Sequence, residues 1–558
     1  MENITTMTIE KKRKLLKSLL LHELKKVNLS ENKEDETSEP TNTYSIQKIS
    51  DTLAQRLSEL LKIPKNEIAY NEDLKIYGLD SMGMLGVLEK MKNEFPIEIE
   101  VSEIVTLKTI EEISQFIISN LKINNDEVKN DSNKESNTTT ISSNNNISKK
   151  EEFLSFHSFE NVTDREDIEI ESFNNFAKQS YPEPVTRSCA TGPVIVSKDG
   201  TEVINFNNYD YLGYASHPEV INSSKLALDK YGLGATASPL VGGRLGVHNE
   251  LENELHAFFN KKDSGISLFA TGYNAVFGSI SAYMGKGDHI VMDAYSHACI
   301  VDGAANSKAS LHYYMHNDIE DLERILQKLD NGENRILVCT EGVFSADGDY
   351  GNIKEIVQVS KKHGAKILVD EAHSFLLTGD QGRGVCFSQG VLEEVDMIVG
   401  TFSKTFSGIG GFLLAKKSIS EYINVYARNR MFSCALPPSI TAGMLKAFQL
   451  AISKDGDERR KKLMTNATIL KSLCENKLKL APTKTWIVPV IFGDEIEIFK
   501  IADYLKENGI QAPILCYPAA PRGFARIRHF VTSEHTPEQL QKTAKVLIEA
   551  GKKFGYIS

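Results

Sequence analysis

The sequence has little that would bind metal through sulfur, track a polyanion or cross a membrane. Its seven cysteines, Cys189, Cys299, Cys339, Cys386, Cys434, Cys474 and Cys516, stand singly among 558 residues with no Cys-x-x-Cys pair. That spacing argues against a disulfide framework and a zinc site, so no metal and a reducing, cytoplasmic setting are expected. Basic charge is not in excess: the formal net charge is −11, the wrong sign for a protein that follows nucleic-acid phosphates. No apolar run approaches the ~18 residues of a transmembrane helix. The basic start "KKRKLLKSLLLHELKK" has its apolar stretch interrupted by Lys17 and closed by His22 and Glu23, and no small-residue cleavage pattern follows. It does not read as a signal peptide. No internal repeat is visible.

What is present divides the chain. Leu15, Leu16, Leu19, Leu20 and Leu24 share one face of an amphipathic helix. Docking to a partner, loose membrane contact and a plain solvated helix all remain open for it. A polar, acidic linker completes residues 1–44. Residues 45–122 read as a small, mostly helical folded unit. Residues 123–150 are rich in Asn and Ser and almost free of large apolar side chains. Such a stretch cannot bury enough surface to offset its ordering entropy, so it is expected to be a flexible tether. Its r.m.s. reach is about 25–30 Å. Residues 151–558 form the main body, without a further break.

Within the body, "GISLFA", "RILVCT", "KILVDEA" and "DMIVGT" are continuous apolar runs. Continuous rather than alternating apolarity suits strands covered on both faces. The last three begin at ~30-residue intervals, the length of a βαβ unit, with "IKEIVQVSKKHG" as one intervening helix. The expected fold is α/β: a mostly parallel sheet wrapped by helices, in a large domain over about 200–440. Ligands of such sheets sit at the carboxyl ends of strands. The polar residues at those ends are Thr340-Glu341, Asp370-Glu371 and Thr401 to Lys404.

In the small unit, Asp80-Ser81 opens an amphipathic helix whose Val87, Leu88 and Met91 share a face. By itself this pair could be a helix cap. The surrounding pattern, an upstream helix from Ile46 to Leu61, "GLDSM", "FPIEIE" and "TIEEI", resembles acyl and peptidyl carrier proteins over the whole of 45–122. The resemblance implies 4'-phosphopantetheine attached to Ser81 by a phosphopantetheinyl transferase. A helix N-terminus favours the attached phosphate, and a tethered carrier raises the local substrate concentration.

In the body, Gly272 and Tyr273 begin a helix whose unpaired N–H groups can hold an anion. Asp370 ends a buried strand, where a carboxylate is costly unless it meets a cation. His297 could lie flat on an aromatic ring, and Ser345 could hydrogen-bond a phenolate. Each taken singly has a plain structural explanation. Together with Lys404 they outline a site for pyridoxal phosphate: lysine for covalent attachment, acid for the pyridine nitrogen, helix end for the phosphate. A buried lysine has a lowered pKa and can work as a base.

The stretches "NYDYLGYASHPEV", "GLGATASPLVGGRLGVHNELENELHAFF", "YSHACI", "TEGVFSADGD", "VDEAHS", "GTFSKTF" and "ARIR" resemble the α-oxoamine synthases in order and spacing. These are fold-type-I pyridoxal phosphate transferases related to aminooxononanoate synthase, ketobutyrate ligase and serine palmitoyltransferase. The resemblance covers about residues 180–550. It implies a homodimer with sites at the interface and a smaller C-terminal domain over about 441–558. By motif, Lys404, His297 and Asp370 are the catalytic residues, and His373 and Ser345 contact the cofactor's phenolate oxygen. Thr401 and the backbone at Gly272-Tyr273 contact its phosphate, as does Ser433 from the neighbouring subunit. Arg526 clamps the substrate carboxylate. The residue two before the Tyr of "YLG" is commonly Asn in the family; here it is Tyr209, which resembles the catalytic subunit of eukaryotic serine palmitoyltransferase. The implied reaction is a decarboxylative condensation of glycine, alanine or serine with an acyl thioester, giving an α-amino ketone and carbon dioxide. The fused carrier suggests delivery from Ser81, with an acyl-loading enzyme or synthase as a candidate partner for the N-terminal helix. A carrier-linked aminotransferase is the alternative, since it would use the same lysine and acid.

Overall fold

In a computed structural model of the chain, the described residues are 46–61, 65, 68–71, 74, 109–127, 187, 189–197, 200–330, 332, 334–494, 496–516, 520 and 523–557. The N-terminal amphipathic segment, Ser81 with its helix, and the tether from residue 128 onward lie outside them.

In the carrier region, helix Ile46–Leu61 places Ile49, Leu53, Ala54 and Leu57 on one buried stripe, and helix Ile110–Glu127 buries Ile110, Ile113 and Ile117. The spacing of three and four residues puts those side chains on one helical face. Between the helices the buried hydroxyls of Ser50 and Ser114 satisfy each other at 2.8 Å, and Ser114 also bonds the Ile110 carbonyl. Thr109 and Glu112 cap the second helix reciprocally. That helix continues to Glu127, past the expected boundary at residue 122.

The body contains strands β1 (Val194–Val196), β2 (Glu202–Asn205), β3 (Ser264–Phe269), β4 (His289–Asp293), β5 (Ser310–Tyr314), β6 (Ile336–Glu341), β7 (Lys366–Asp370), β8 (Met397–Thr401), β9 (Gly411–Lys416), β10 (Ile487–Gly493), β11 (Ile510–Gln511), β12 (Ile514–Leu515) and β13 (Ala525–Phe530). A seven-stranded sheet has the order β3-β9-β8-β7-β6-β4-β5. Strands β5, β4, β6, β7 and β8 pair in parallel, and β9 runs antiparallel to both β8 and β3. Every residue of β6 and β8 is buried, as their continuous apolarity predicts. Burial of each large aliphatic side chain contributes roughly 1.5–3 kcal/mol, so these strands are held firmly in register where they end.

The smaller part has two three-stranded sheets, β10-β13-β12 and β1-β2-β11. It is not purely C-terminal, as the motif order implied. Strand β2 pairs with β11, Ile204 opposite Ile510, so a segment before residue 206 shares a sheet with one after residue 509. Among the described residues no helix is long and apolar enough to cross a membrane, and no His, Cys, Asp and Glu cluster could hold a metal ion.

Candidate active site

Lys404 sits at the tip of a hairpin. Strand β8 ends at Thr401, the chain turns through 402–410, and β9 returns beside it with Gly411 opposite Thr401. The turn needs unusual backbone: Ser407 has φ +60° and Gly410 φ +126°. Ser407 is tied on both sides, its N–H to the Lys404 carbonyl at 2.8 Å and its hydroxyl to the buried Asp210 at 2.6 Å. Asp210 also accepts the N–H groups of Tyr214 and Ala215. The loop bearing Tyr209 is thereby fastened to the loop bearing Lys404, and the Lys404 amine lies 5.8 Å from the centre of the Tyr209 ring.

The glycines of "GTFSKTFSGIGGF" have a spatial reason. A Cβ on Gly411 would stand 2.7 Å from the Gly272 Cα, and one on Gly272 would stand 2.5 Å from the Thr401 hydroxyl oxygen. Both distances are below van der Waals contact, so only glycine lets helix Gly272–Tyr283 begin against the end of β8. Thr271 caps that helix by accepting the Asn274 N–H at 3.0 Å. The early N–H groups of Gly272 and Tyr273 lie at the helix's positive end. Thr401 bonds Ser403 at 2.8 Å and the Gly410 carbonyl at 3.2 Å.

Two buried carboxylates flank the lysine. Asp370, at the end of β7, pairs in register with Glu341 on β6 and Val399 on β8. One Asp370 oxygen accepts the Ala372 N–H at 2.9 Å; the other has only the Cys299 thiol at 4.0 Å. Burial pushes the Asp370 pKa up, and the Lys404 charge pulls it back. Glu341 accepts the His297 backbone N–H at 2.7 Å; burial, then Asp370, holds its pKa well above the carboxylate range. Burial lowers Lys404 to about 8, against the raising pull of Asp370 and Glu341.

His297 caps helix Ala298–Ser307. Its Nδ1 accepts the Cys299 N–H at 3.2 Å, with the Cys299 sulfur at 3.0 Å. A backbone N–H can only donate, so Nδ1 is unprotonated and Nε2 carries the proton. Burial lowers the ring's pKa, consistent with a neutral imidazole. His373 is buried with its Nδ1 2.8 Å from the Tyr211 hydroxyl, and burial lowers its pKa well below the usual value. Ser345 is half-buried on the turn after β6.

Arg526, the expected carboxylate clamp, already has an acidic partner in the protein. Arg526 is buried and ion-paired to Asp347, and it also donates to the Ala346 carbonyl at 3.2 Å. Arg528, two residues on, is the arginine whose charge acts on Lys404, His297 and His373. It donates to the Ser345 carbonyl at 3.1 Å, lies against the Phe530 ring, and its Nε has no hydrogen-bond partner. A half-buried guanidinium whose buried Nε is an unused donor is suited to grip an anion. Both arginines lie on one face of β13, so the alternation of "ARIR" could not separate them. Glu341 was noted at its strand end but given no role; its signal was the same as Asp370's, an acid closing a buried strand. Ser433, half-buried, lines a separate cleft with Arg244, Glu252, Ala270 and Arg430.

The donor set fits pyridoxal phosphate. Asp370 has an undersatisfied buried oxygen for a ring cation. Lys404 is an amine with a depressed pKa. The glycine-lined helix start leaves backbone N–H groups open beside Thr401.

Residues 201–547 match the aminotransferase class I and II family, and residues 51–117 match the phosphopantetheine attachment site. The 8-amino-7-oxononanoate synthase of Thermoanaerobacter pseudethanolicus is 35% identical over 360 residues, covering 64% of this chain and 90% of that protein. The 2-amino-3-ketobutyrate coenzyme A ligase of Escherichia coli K12 is 34% identical, covering 65% and 91%. Among solved structures, a serine palmitoyltransferase from S. paucimobilis with a bound PLP–myriocin aldimine is 33% identical with a TM-score of 0.67, covering 71% of this chain and all of that one.

Proposed function

The chain belongs to the α-oxoamine synthases of the class I and II aminotransferase family, with a phosphopantetheine attachment domain before the catalytic body, and from that premise we propose that it condenses an amino acid with an acyl group delivered on its own Ser81. It is a pyridoxal phosphate-dependent acyltransferase. The relatives' names point to small amino acids and acyl thioesters, and glycine, alanine and serine are the candidates here. The observation that carries the reading is the convergence of Lys404, Asp370 and Glu341 at the adjoining ends of β6, β7 and β8, beside the start of helix Gly272–Tyr283.

Pyridoxal phosphate, when bound, supplies an electron sink for negative charge developing on the amino acid's α-carbon. The chain's residues do the rest. Gly272, Tyr273 and Thr401 would hold its phosphate, and the undersatisfied Asp370 oxygen would serve its ring nitrogen. His297 would pack on the ring, while His373 and Ser345 would contact its phenolate oxygen. Arg528 takes the substrate carboxylate, replacing Arg526 in that role. The neutral Lys404 amine removes the α-proton; a pKa of about 8 leaves part of it unprotonated near neutrality. The α-carbon then bonds to the thioester carbonyl, the carbon–sulfur bond breaks and the thiol leaves. Loss of carbon dioxide and return of a proton complete an α-amino ketone.

Exposed apolar side chains support a homodimer. Leu233 is 84% exposed, Val241 81% and Phe432 72%, and Phe432 adjoins Ser433, the residue assigned to the partner's phosphate.

The test is mass spectrometry of phosphopantetheinylated full-length protein offered a panel of acyl groups and amino acids. Expected are acyl loading on Ser81, carbon dioxide release and an α-amino ketone, with loss of carrier-delivered turnover in Ser81→Ala. Equal turnover of free acyl-coenzyme A by Ser81→Ala removes the basis for carrier delivery. A product formed without carbon dioxide supports the aminotransferase alternative.

A further inference from the structure

A second charge cluster lies at the carboxyl ends of β4, β5 and β6. His316 follows β5. Its Nδ1 is 2.9 Å from Asp293 Oδ1, and its Nε2 is 3.0 Å from Asp349 Oδ2. Both carboxylate oxygens already act as acceptors: Asp293 Oδ1 takes the Tyr295 N–H at 2.8 Å, and Asp349 Oδ2 takes the Asn317 amide at 2.9 Å. Asp293's second oxygen takes the Asn317 N–H at 3.0 Å. The Asn317 amide also lies 3.5 Å from Nε2, but its protons are directed at shorter range to Asp349 and the Tyr350 carbonyl, so each ring nitrogen has a carboxylate as its near partner and the ring is an imidazolium. Burial by itself would lower its pKa, but the hydrogen bonds to Asp293 and Asp349 outweigh it and raise the value to about 10. Against the ring lie the Tyr295 ring stacked at 4.4 Å and the Phe344 ring edge-on at 4.5 Å, with the Tyr314 hydroxyl beside Asp293. The charged or titratable groups bordering the cluster are Asp321, which accepts the Met315 N–H and pairs with Arg324, Glu341, which feels Asp293, and Arg526, which feels Tyr295 and pairs with Asp347.

The two carboxylates belong to the two loops that carry site residues. Asp293 leads through Tyr295 to His297. Asp349 ends the turn that carries Ser345, whose carbonyl accepts Arg528, and Asp347, which pairs with Arg526. Asn317 strengthens the tie, donating to the Tyr350 carbonyl at 3.1 Å and accepting the Asn352 N–H at 3.1 Å. We propose that His316 is a positioning residue, an imidazolium that fixes the 293–297 loop and the 344–350 turn in one geometry through Asp293 and Asp349. A neutral ring could donate to only one carboxylate, and the two loops would lose their common anchor. The link to catalysis rests on His297 and Ser345 being cofactor contacts; the charge state of His316 does not.

The test uses full-length holoenzyme labelled at histidine. The His316 signal is identified by its loss in His316→Gln or, if that variant does not fold, by its shift in Asp349→Asn. The expected result is a protonated imidazole signature unchanged from pH 6 to pH 9; a midpoint near the ordinary value of about 6.5 overturns the proposal. In parallel, α-proton exchange in D2O is followed with glycine, alanine and serine. Asp349→Asn is expected to slow exchange about 10- to 100-fold, as loss of alignment in a site does, and to shift the pH dependence of the cofactor's visible absorbance. Wild-type exchange and an unshifted absorbance profile in a folded Asp349→Asn protein overturn the positioning role, even where His316 proves protonated.

Discussion

Arg526 and Arg528 differ by two positions on one strand, yet only Arg526 has a carboxylate beside it, Asp347. The two should therefore fail differently when removed. Arg528→Ala is expected to weaken amino acid binding by about 2 kcal/mol or more, roughly 30-fold in KM, with little change in unfolding temperature. Arg526→Ala leaves Asp347 buried without its cation and is expected to cost about 3–5 kcal/mol of stability. Thermal unfolding and amino acid titration of the two variants separate these outcomes, and the reverse pattern would restore Arg526 as the clamp. Lys404 carries a pH prediction. In the cofactor-free chain its amine titrates at about 8, lowered mainly by burial. Only the neutral amine attacks an aldehyde, so the rate of pyridoxal phosphate uptake should rise with pH up to about 8 and then level off. The linkage has the matching sign: between about 8 and the ordinary lysine value the unfolded chain binds more protons, so stability from this group grows with pH across that window. Stopped-flow absorbance across pH 6.5–9.5 checks the rate, and Lys404→Ala should show no uptake. A rate still climbing steeply above pH 9 would contradict the lowered value.

At the scale of elements, the site depends on how closely β8, β9 and helix Gly272–Tyr283 approach. Gly272→Ala places a methyl 2.5 Å from the Thr401 hydroxyl oxygen. Forced overpacking of this kind costs about 1–3 kcal/mol, and here it falls on the helix start assigned to the phosphate. The variant should fold with a lowered melting temperature and a raised Kd for pyridoxal phosphate, read by equilibrium dialysis. Unchanged affinity would mean that the phosphate sits elsewhere. The strands meeting at this point were legible in sequence to different degrees. Strands β6, β7 and β8 declared themselves as continuous apolar runs because they are buried on both faces. The edge strand β5 gave no such signal: its "SLHYY" is only half-buried, and an exposed edge does not demand an apolar run. The antiparallel return of β9 was also not marked, because a glycine-rich turn specifies a reversal and not the neighbour that the returning strand meets.

For the whole molecule, the body leaves apolar residues uncovered on several segments, among them Leu233, Val241, Tyr426 and Phe432. A second copy would remove this surface from water. Charge introduced there, as in Val241→Glu with Phe432→Glu, should turn a dimer in sedimentation velocity into monomer and diminish cofactor binding with it. A monomeric wild type would exclude the shared-site arrangement. The carrier was legible as a motif, since a motif is a local property. The smaller lobe was read as purely C-terminal, and it is not: β2 reaches across to β11, a pairing between positions 204 and 510 that no local pattern encodes.

Sequence alone determined which chemical groups were available and where the strands would end. A lysine after a buried strand, an acid at the end of the next, and glycines where a helix must start are consequences of local backbone geometry and desolvation cost. Tertiary structure decided the choices between equals. It paired Arg526 with Asp347 and Arg528 with the Ser345 carbonyl, set Glu341 beside Asp370, and placed His316 between two carboxylates. Those outcomes depend on distances between segments far apart in the chain, and side-chain alternation within a strand carries no information about them.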